Sequence, residues 1–466
     1  MARRFSKIFL AATLFSASLS SNFVKADANY PGIIGKDNWL YYNYEITTAA
    51  DVPKVNGMLD TIRRFNKVLA ANGIAMVATF VPIKMRVYPE FLPPTLKVNA
   101  ETQGGYARLS QVLRAGQVNV IDINAPMMDA ANKTKYAPYP LFLRLDRHWS
   151  PSGALVVADA IKAGIEANPA LKKVYDATPV QAYKLEISKD KKTLNSHDLV
   201  GQLSPQDQAS HNYPPESSLL FKAVRSTPGS SPSGIVVLGS SYSMEWTGFP
   251  DALRSALQRD ITFSTAHGPI GPWYGAISYF SDESVQAKPP KLLILEMSER
   301  ELHITPDADY REPRYRMLNS TDWLLRVSAL VQQSCKASSV TGKIASTGLA
   351  SKPGAQKSDG VSVDSTTEAD FIDIDFNNPI TKLDYIAAQL VASGVKTITL
   401  EASGPDTAPR KILVEVKGDK VVRALKYPLL SMTGKGYTKV RIYPGNTSGF
   451  SFQGLKVCRQ PEDLLS

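Results

Sequence analysis

The stretch Gly234-Ile-Val-Val-Leu238-Gly-Ser-Ser241-Tyr-Ser243 decides the fold. Ile235 to Leu238 are apolar and mostly β-branched, and they pass without a break into Gly239-Ser240-Ser241, the pattern of a buried strand ending in a sharp turn. A serine on such a turn exposes its hydroxyl. A hydroxyl is a weak nucleophile at neutral pH, so the reading calls for a histidine to take its proton and an acid to orient that histidine. Outward from this strand, from about Asp51 to Pro250, helical patterns alternate with short apolar runs, the rhythm of an α/β domain around a central sheet. Met58 to Ala71 has helical spacing and stops at Asn72-Gly73, a C-cap signal. Ile74 to Val81, Val118 to Ile123, Gly234 to Gly239 and Lys291 to Glu296 read as strands; Ser152 to Ala167 and Asp251 to Leu257 read as helices. In α/β domains sites gather at the carboxyl ends of the strands.

The partner constellation is Arg144-Leu-Asp146-Arg-His148-Trp149-Ser-Pro-Ser-Gly153, just before a predicted helix. Asp146 and His148 stand two residues apart, so in an extended segment both side chains point to one side and the carboxylate can hold the imidazole while its other nitrogen faces the serine. A helix-capping loop, with Asp and Ser bonded to backbone donors, is the alternative. His197, His211, His267 and His303 lack an acid at such an offset in a pre-helix loop and read as surface or structural residues. No His/Cys/Asp cluster has metal-ligand spacing, and neither a P-loop nor a dinucleotide fingerprint is present, so neither metal nor cofactor is expected.

The chain starts basic, with Arg3, Arg4 and Lys7, and continues through a mostly apolar run from Ile8 to Leu19. That order reads as a secretory signal over residues 1–26, too short to span a bilayer and removed from a mature chain starting near Asp27. Its loss takes away four cations and no acid, lowering the formal charge from +10 to +6. A basic exported protein suits an anionic partner such as an acidic glycan, although a solvated basic surface gives the same number. The export signal argues against nucleic acid. Cys335 and Cys458 are the two cysteines, and in an oxidising compartment they read as one disulfide, with unpaired thiols the alternative.

About 440 mature residues exceed one hydrophobic core, so more than one domain is expected. Residues 337–364 are rich in Ser, Lys, Gly and Thr and read as a linker or loop after a catalytic domain at 27–336. Over 365–466, Phe371 to Phe376, Thr397 to Ala402, Ile412 to Lys417 and Lys439 to Tyr443 alternate apolar and polar residues between turns, a β-sandwich signature. Cations recur here with few acids among them, and Arg410, Lys411, Lys435 and Lys439 are candidates to line a glycan groove; a solvated basic face is the alternative.

The Asp-x-His-Trp-Ser-Pro-x-Gly loop upstream of a Gly-x-Ser-x-Ser turn resembles the SGNH-hydrolase-like domain of the alginate O-acetyltransferases, the AlgX/AlgJ family. Gly35-Lys-Asp-Asn-Trp-Leu-Tyr-Tyr42 resembles the family's entry segment, and Val81-Pro-Ile-Lys-Met-Arg-Val-Tyr-Pro-Glu90 its proline-tyrosine segment. Together these cover most of residues 30 to 300. The β-rich end resembles the carbohydrate-binding module of the AlgX branch. By that resemblance Ser241 is the nucleophile, His148 the general base and Asp146 its orienting acid, while Tyr242 and Trp149 shape the substrate site. It also implies a periplasmic location, an alginate-like anionic polysaccharide as acceptor, an acetyl donor delivered by membrane-bound machinery, and other exopolysaccharide export proteins as partners. Ile270 stands where the family pattern has a basic residue before Gly-Pro, which leaves the glycan's identity open.

Three functions remain. An O-acetyltransferase uses the triad and an acceptor site; an acetylesterase uses the triad alone; a glycan-binding subunit would use only the module. The resemblance favours transfer.

Overall fold

A computed structural model describes residues 29–133, 139–190, 192–194, 197–210, 212–227, 233–304, 318–350, 357–405, 407–429 and 436–465. The expected signal segment, His211 and Lys435 lie outside the described residues. No helix among the described residues is long and apolar enough to cross a membrane.

Five parallel strands form the central sheet: β1 (Ala75–Val81), β2 (Asn119–Val120), β3 (Ile235–Gly239), β4 (Ile261–Thr265) and β5 (Leu292–Ser298), in the order β4-β3-β5-β1-β2. These strands are apolar on both faces because helices cover both faces. Met76, Ala78 and Phe80 of β1 pack with α1 (Val52–Ala71), α2 (Ala100–Ala115), α5 (Gly271–Phe280) and α6 (Ser320–Val331). Val77 and Val81, facing the other way, pack with α3 (Pro151–Ala167) and α4 (Phe249–Leu257). β4, with its lone buried Ile261, was not expected from sequence; it is an edge strand with one face half open to solvent.

The second unit is a β-sandwich. One antiparallel sheet runs β6 (Gly342–Gly348), β8 (Phe371–Ile380), β13 (Tyr437–Tyr443), β10 (Thr397–Gly404), β11 (Thr407–Glu415). The other runs β7 (Val361–Val363), β14 (Phe450–Arg459), β9 (Asp384–Ala392), β12 (Arg423–Pro428). Two of these strands, β6 and β7, fall inside the stretch expected to be linker. Both are edge strands; β7 is only three residues long, and in β6 Lys, Ser and Thr residues hide the alternation that marks a central strand.

The two units share packing. One apolar cluster runs from the α1 and α6 side of the sheet into the sandwich core. Trp323 of α6 donates its indole N–H to the Trp273 carbonyl at 2.9 Å. Arg326 donates to the Lys426 carbonyl, and Lys426 Nζ to the Gln332 carbonyl at 2.6 Å. Cys335 and Cys458 form a disulfide that ties the segment after α6 to the last sandwich strand.

Candidate active site

The site lies at the carboxyl edge of the parallel sheet, where β3 gives way to the turn Ser241–Ser243. Ser241 opens that turn, and Ser240 caps it by accepting from the Tyr242 N–H at 3.3 Å. Gly239 is required because a Cβ there would strike Ser243 and the Glu296 carboxylate. Glu296, wholly buried near the end of β5, accepts hydrogen bonds from the Ser240 N–H at 2.8 Å, the Ser240 hydroxyl at 2.9 Å and the Ser243 hydroxyl at 2.8 Å. Burial pushes its carboxyl up to about 7, against those three hydrogen bonds, which lower it.

His148, the candidate base, arrives from the loop before α3. Leu143 N–H donates to the His148 carbonyl at 3.0 Å and Ser150 N–H to the Leu141 carbonyl at 2.8 Å, closing the loop on itself. Ser150 then caps α3, accepting from the N–H groups of Ser152 and Gly153. Asp146 is completely buried; its Oδ1 lies 2.6 Å from His148 Nδ1 and also accepts the His148 N–H at 2.8 Å. His148 Nε2 lies 2.8 Å from Ser241 Oγ. With Nδ1–H donating to the carboxylate, Nε2 is left as an acceptor for the serine hydroxyl. Three residues from two separate segments thus form one unbroken relay.

Lys84, within the proline-tyrosine segment, holds the loop in place. Its fully buried Nζ donates to the carbonyls of Leu40 at 2.6 Å, Arg144 at 2.8 Å and Asp146 at 3.2 Å. Burial pulls its ammonium down to about 8, with Glu45 the main opposing charge. Glu216 steadies the same loop by accepting the N–H groups of Arg144 and Leu145, each at 2.8 Å. Asp198 adds a second carboxylate: it pairs with Arg147, and its Oδ2 is 4.0 Å from His148 Nδ1. Donor atoms of Asp146, His148 and Asp198 lie within 4.8 Å of one another, close enough in principle for a cation. The Arg147 guanidinium already supplies that position with positive charge.

Tyr242 and Trp149, expected to shape the substrate site, are both buried and leave almost no surface for a ligand. Tyr242 is 3% exposed and donates its hydroxyl to the Arg147 carbonyl at 2.6 Å; Trp149 is fully buried against Tyr242 and Phe249. Tyr242 packs against the imidazole, with ring centres 4.7 Å apart, and Trp149 backs Tyr242. A second aromatic against His148 is Trp246, half-buried, with ring centres 4.8 Å apart in an edge contact. The sequence reading missed Trp246, Glu296, Lys84 and Asp198. Lys84 lay in a segment already singled out, and Glu296 is an acid inside an otherwise apolar strand.

The basic residues of the sandwich are not one groove. Lys411 and Lys439 both lie on the outer side of the first sheet, Lys411 3.6 Å from Glu401 and Lys439 2.9 Å from Asp373. Arg441 makes a two-pronged bond to the same Asp373 at 2.7 and 2.9 Å, which pulls that carboxyl down to about 2. Arg410 instead borders, with Lys411, a cleft of about 510 Å³ between α5, α6 and the sandwich. Among the described candidates, Arg410 and Lys411 thus border the cleft while Lys439 sits on Asp373, and Lys411 and Lys439 already face acids.

A parallel sheet covered on both faces, with a Ser-His-Asp relay at its carboxyl edge, is the architecture of SGNH-type acyl chemistry. The family described as "SGNH hydrolase-like domain, acetyltransferase AlgX" matches residues 33–299, and the chain belongs to it. Among curated relatives, a probable alginate O-acetylase AlgJ of Pseudomonas fluorescens is 28% identical over 305 residues, 61% of this chain and 72% of that protein. The alginate biosynthesis protein AlgX of Pseudomonas putida is 23% identical over 314 residues, 64% of this chain and 59% of that protein. Among solved structures, Pseudomonas aeruginosa AlgX superposes with a TM-score of 0.60 at 16% identity, covering 92% of this chain and 94% of its own. The O-acetyltransferase domain of Pseudomonas putida AlgJ gives 0.53 at 24% identity, covering 64% of this chain and 98% of its own. The AlgX likeness thus reaches into the sandwich, and the α/β domain followed by a β-sandwich is a shared fold.

Proposed function

We propose that this chain is a periplasmic O-acetyltransferase that moves acetyl groups onto hydroxyls of an alginate-like uronate polymer through an acyl-Ser241 intermediate. The observation that carries the reading is the relay from Asp146 through His148 to Ser241, 2.6 and 2.8 Å long, in a chain of an acetyltransferase family. His148 Nε2 takes the hydroxyl proton as Ser241 Oγ attacks the acetyl carbonyl. The bond to the donor's leaving atom then breaks and His148 returns the proton to it. In the second half a sugar hydroxyl gives its proton to His148 and attacks the acyl carbon, and Ser241 leaves and regains its proton. The Ser241 N–H, which makes no hydrogen bond among the described residues, is available to the oxyanion.

Alginate as acceptor rests on what the relatives named above are called. Export rests on the basic-then-apolar start of the sequence and agrees with the Cys335–Cys458 bond, since disulfides persist in oxidising compartments. The acetyl donor would come from membrane-bound machinery and the polymer from export proteins.

Incubating wild type and Ser241→Ala with p-nitrophenyl acetate and oligomannuronate, and following acetate and acetylated oligomer by mass spectrometry, tests the reading. Acetylated oligomer from wild type alone is expected. Acetate without acetylated oligomer would make the chain an esterase, and equal inactivity of both proteins would make it a glycan-binding subunit.

A further inference from the structure

Transfer needs a sugar hydroxyl to reach the acyl-enzyme ahead of water, and the reacting groups leave little room for entry: Ser241 is 8% exposed and His148 7%. His148 is flanked by two aromatic rings, Tyr242 at 4.7 Å and Trp246 at 4.8 Å between ring centres. Tyr242 is buried and its hydroxyl is engaged, so it offers nothing to a ligand. Trp246 is half-buried, and so retains solvent-facing area beside the base.

The indole is held by the backbone that carries the nucleophile. Trp246 is the centre of the turn Glu245–Thr247, immediately after the turn Ser241–Ser243. Buried Thr247 ties the second turn back to the first, donating its hydroxyl toward the carbonyls of Tyr242 at 2.9 Å and Met244 at 2.8 Å. Gly248 closes the turn at φ +79, a left-handed conformation suited to glycine, and starts α4. Glu245 is braced by Arg254 at 3.3 Å. A large flat apolar surface is thereby fixed a few residues from the nucleophile and in contact with the base, which is how a site pre-orders a ligand with little entropy left to lose.

We propose that Trp246 is the acceptor-binding residue of the transfer step: a pyranose lays its C–H face on the indole, which aims a ring hydroxyl at the acyl carbon beside His148 Nε2 and crowds out competing water. The stacking surface selects a sugar ring, and the choice between transfer and hydrolysis follows from its occupancy. This rests on the transferase reading above and extends it to one specificity-determining side chain.

The test is the partition of acetyl groups between oligomannuronate and water, measured for wild type, Trp246→Ala and Trp246→Phe with p-nitrophenyl acetate as donor. Trp246→Ala is expected to lower the ratio of acetylated oligomer to acetate at least about tenfold, worth about 1.4 kcal/mol, with a raised half-saturating oligomer concentration. Trp246→Phe, which keeps a ring, should restore most of the ratio. If both channels fall together and the ratio is unchanged, the indole merely braces His148 and the proposal is wrong. If wild type itself makes no acetylated oligomer, the transferase reading falls and takes this proposal with it.

Discussion

The Glu296 carboxylate lies directly against the nucleophile turn, 2.8 Å from the backbone nitrogen of Ser240, the residue before the candidate nucleophile. This buried acid is what the turn is built on. Its raised carboxyl, from 4.5 to about 7, gives the contact a pH signature. A folded-state value above the unfolded one means that stability is fully present below about pH 4.5 and is lost as pH rises toward 7, by roughly 3 kcal/mol in total. Glu296→Gln lacks this titration, so the melting temperature of wild type relative to Glu296→Gln should fall by several degrees between pH 4.5 and pH 8. Equal curves for the two proteins would show that Glu296 ionises freely. Glu296→Ala strands three buried donors and should lower kcat about tenfold or more, by loosening the position of Ser241.

Lys84 is the matching support under the other half of the site. Lys84→Met keeps the length of the side chain but leaves the carbonyls of Leu40, Arg144 and Asp146 without their shared donor. We expect a loss of about 2–4 kcal/mol in urea unfolding and about a hundredfold in kcat/KM, because a displacement of the Asp146–His148 loop by even about 1 Å breaks the relay. Lys84→Arg should not rescue it, since a fork-shaped guanidinium does not fit a fully enclosed ammonium site.

Asp146→Asn changes no volume but removes the negative acceptor at His148 Nδ1. The amide favours the opposite tautomer, with the proton on the nitrogen that should receive the serine's. Turnover of p-nitrophenyl acetate should fall on the order of a thousandfold, with an unchanged melting profile in circular dichroism within about 1 kcal/mol. A small effect would place the base elsewhere.

The disulfide closes a sequence separation of 123 residues across the sandwich. Replacing Cys335 and Cys458 together by serine should cost about 2–5 kcal/mol by denaturant melting of the sandwich. Ester hydrolysis at moderate temperature should survive, because neither cysteine touches the relay.

That Asp146, His148 and Ser241 come together was legible in sequence because each half of the arrangement is local. Strand-Gly-x-Ser places a hydroxyl, Asp-x-His places a base with its acid, and both patterns span a few residues. Glu296 and Lys84 were not legible, because what defines them is contact across 56 residues to Ser240 and 62 to Asp146. A lysine is usually a surface residue, so nothing in its type announced Lys84 as buried. In the sandwich, the runs Phe371 to Phe376 and Lys439 to Tyr443 mix apolar and polar residues in a strand-like rhythm and were readable. Asp384–Ala392 has adjacent apolar pairs (Tyr385-Ile386, Leu390-Val391) and three alanines in place of alternation, and Phe450–Arg459 is broken by Gly454 at φ +66, so neither announced itself. The cationic residues misled for a related reason: Asp373, which neutralises Lys439 and Arg441, lies more than sixty positions away along the chain.

In the proposed reaction acetyl passes through Ser241 on its way to a sugar. The most direct measurement is intact-protein and peptide mass spectrometry of wild type mixed rapidly with p-nitrophenyl acetate, then chased with oligomannuronate. One acetyl group is expected on the peptide containing Ser241, absent in Ser241→Ala, that leaves on the chase and reappears on the oligomer. An acetyl group on another residue, or transfer undiminished in Ser241→Ala, would contradict it.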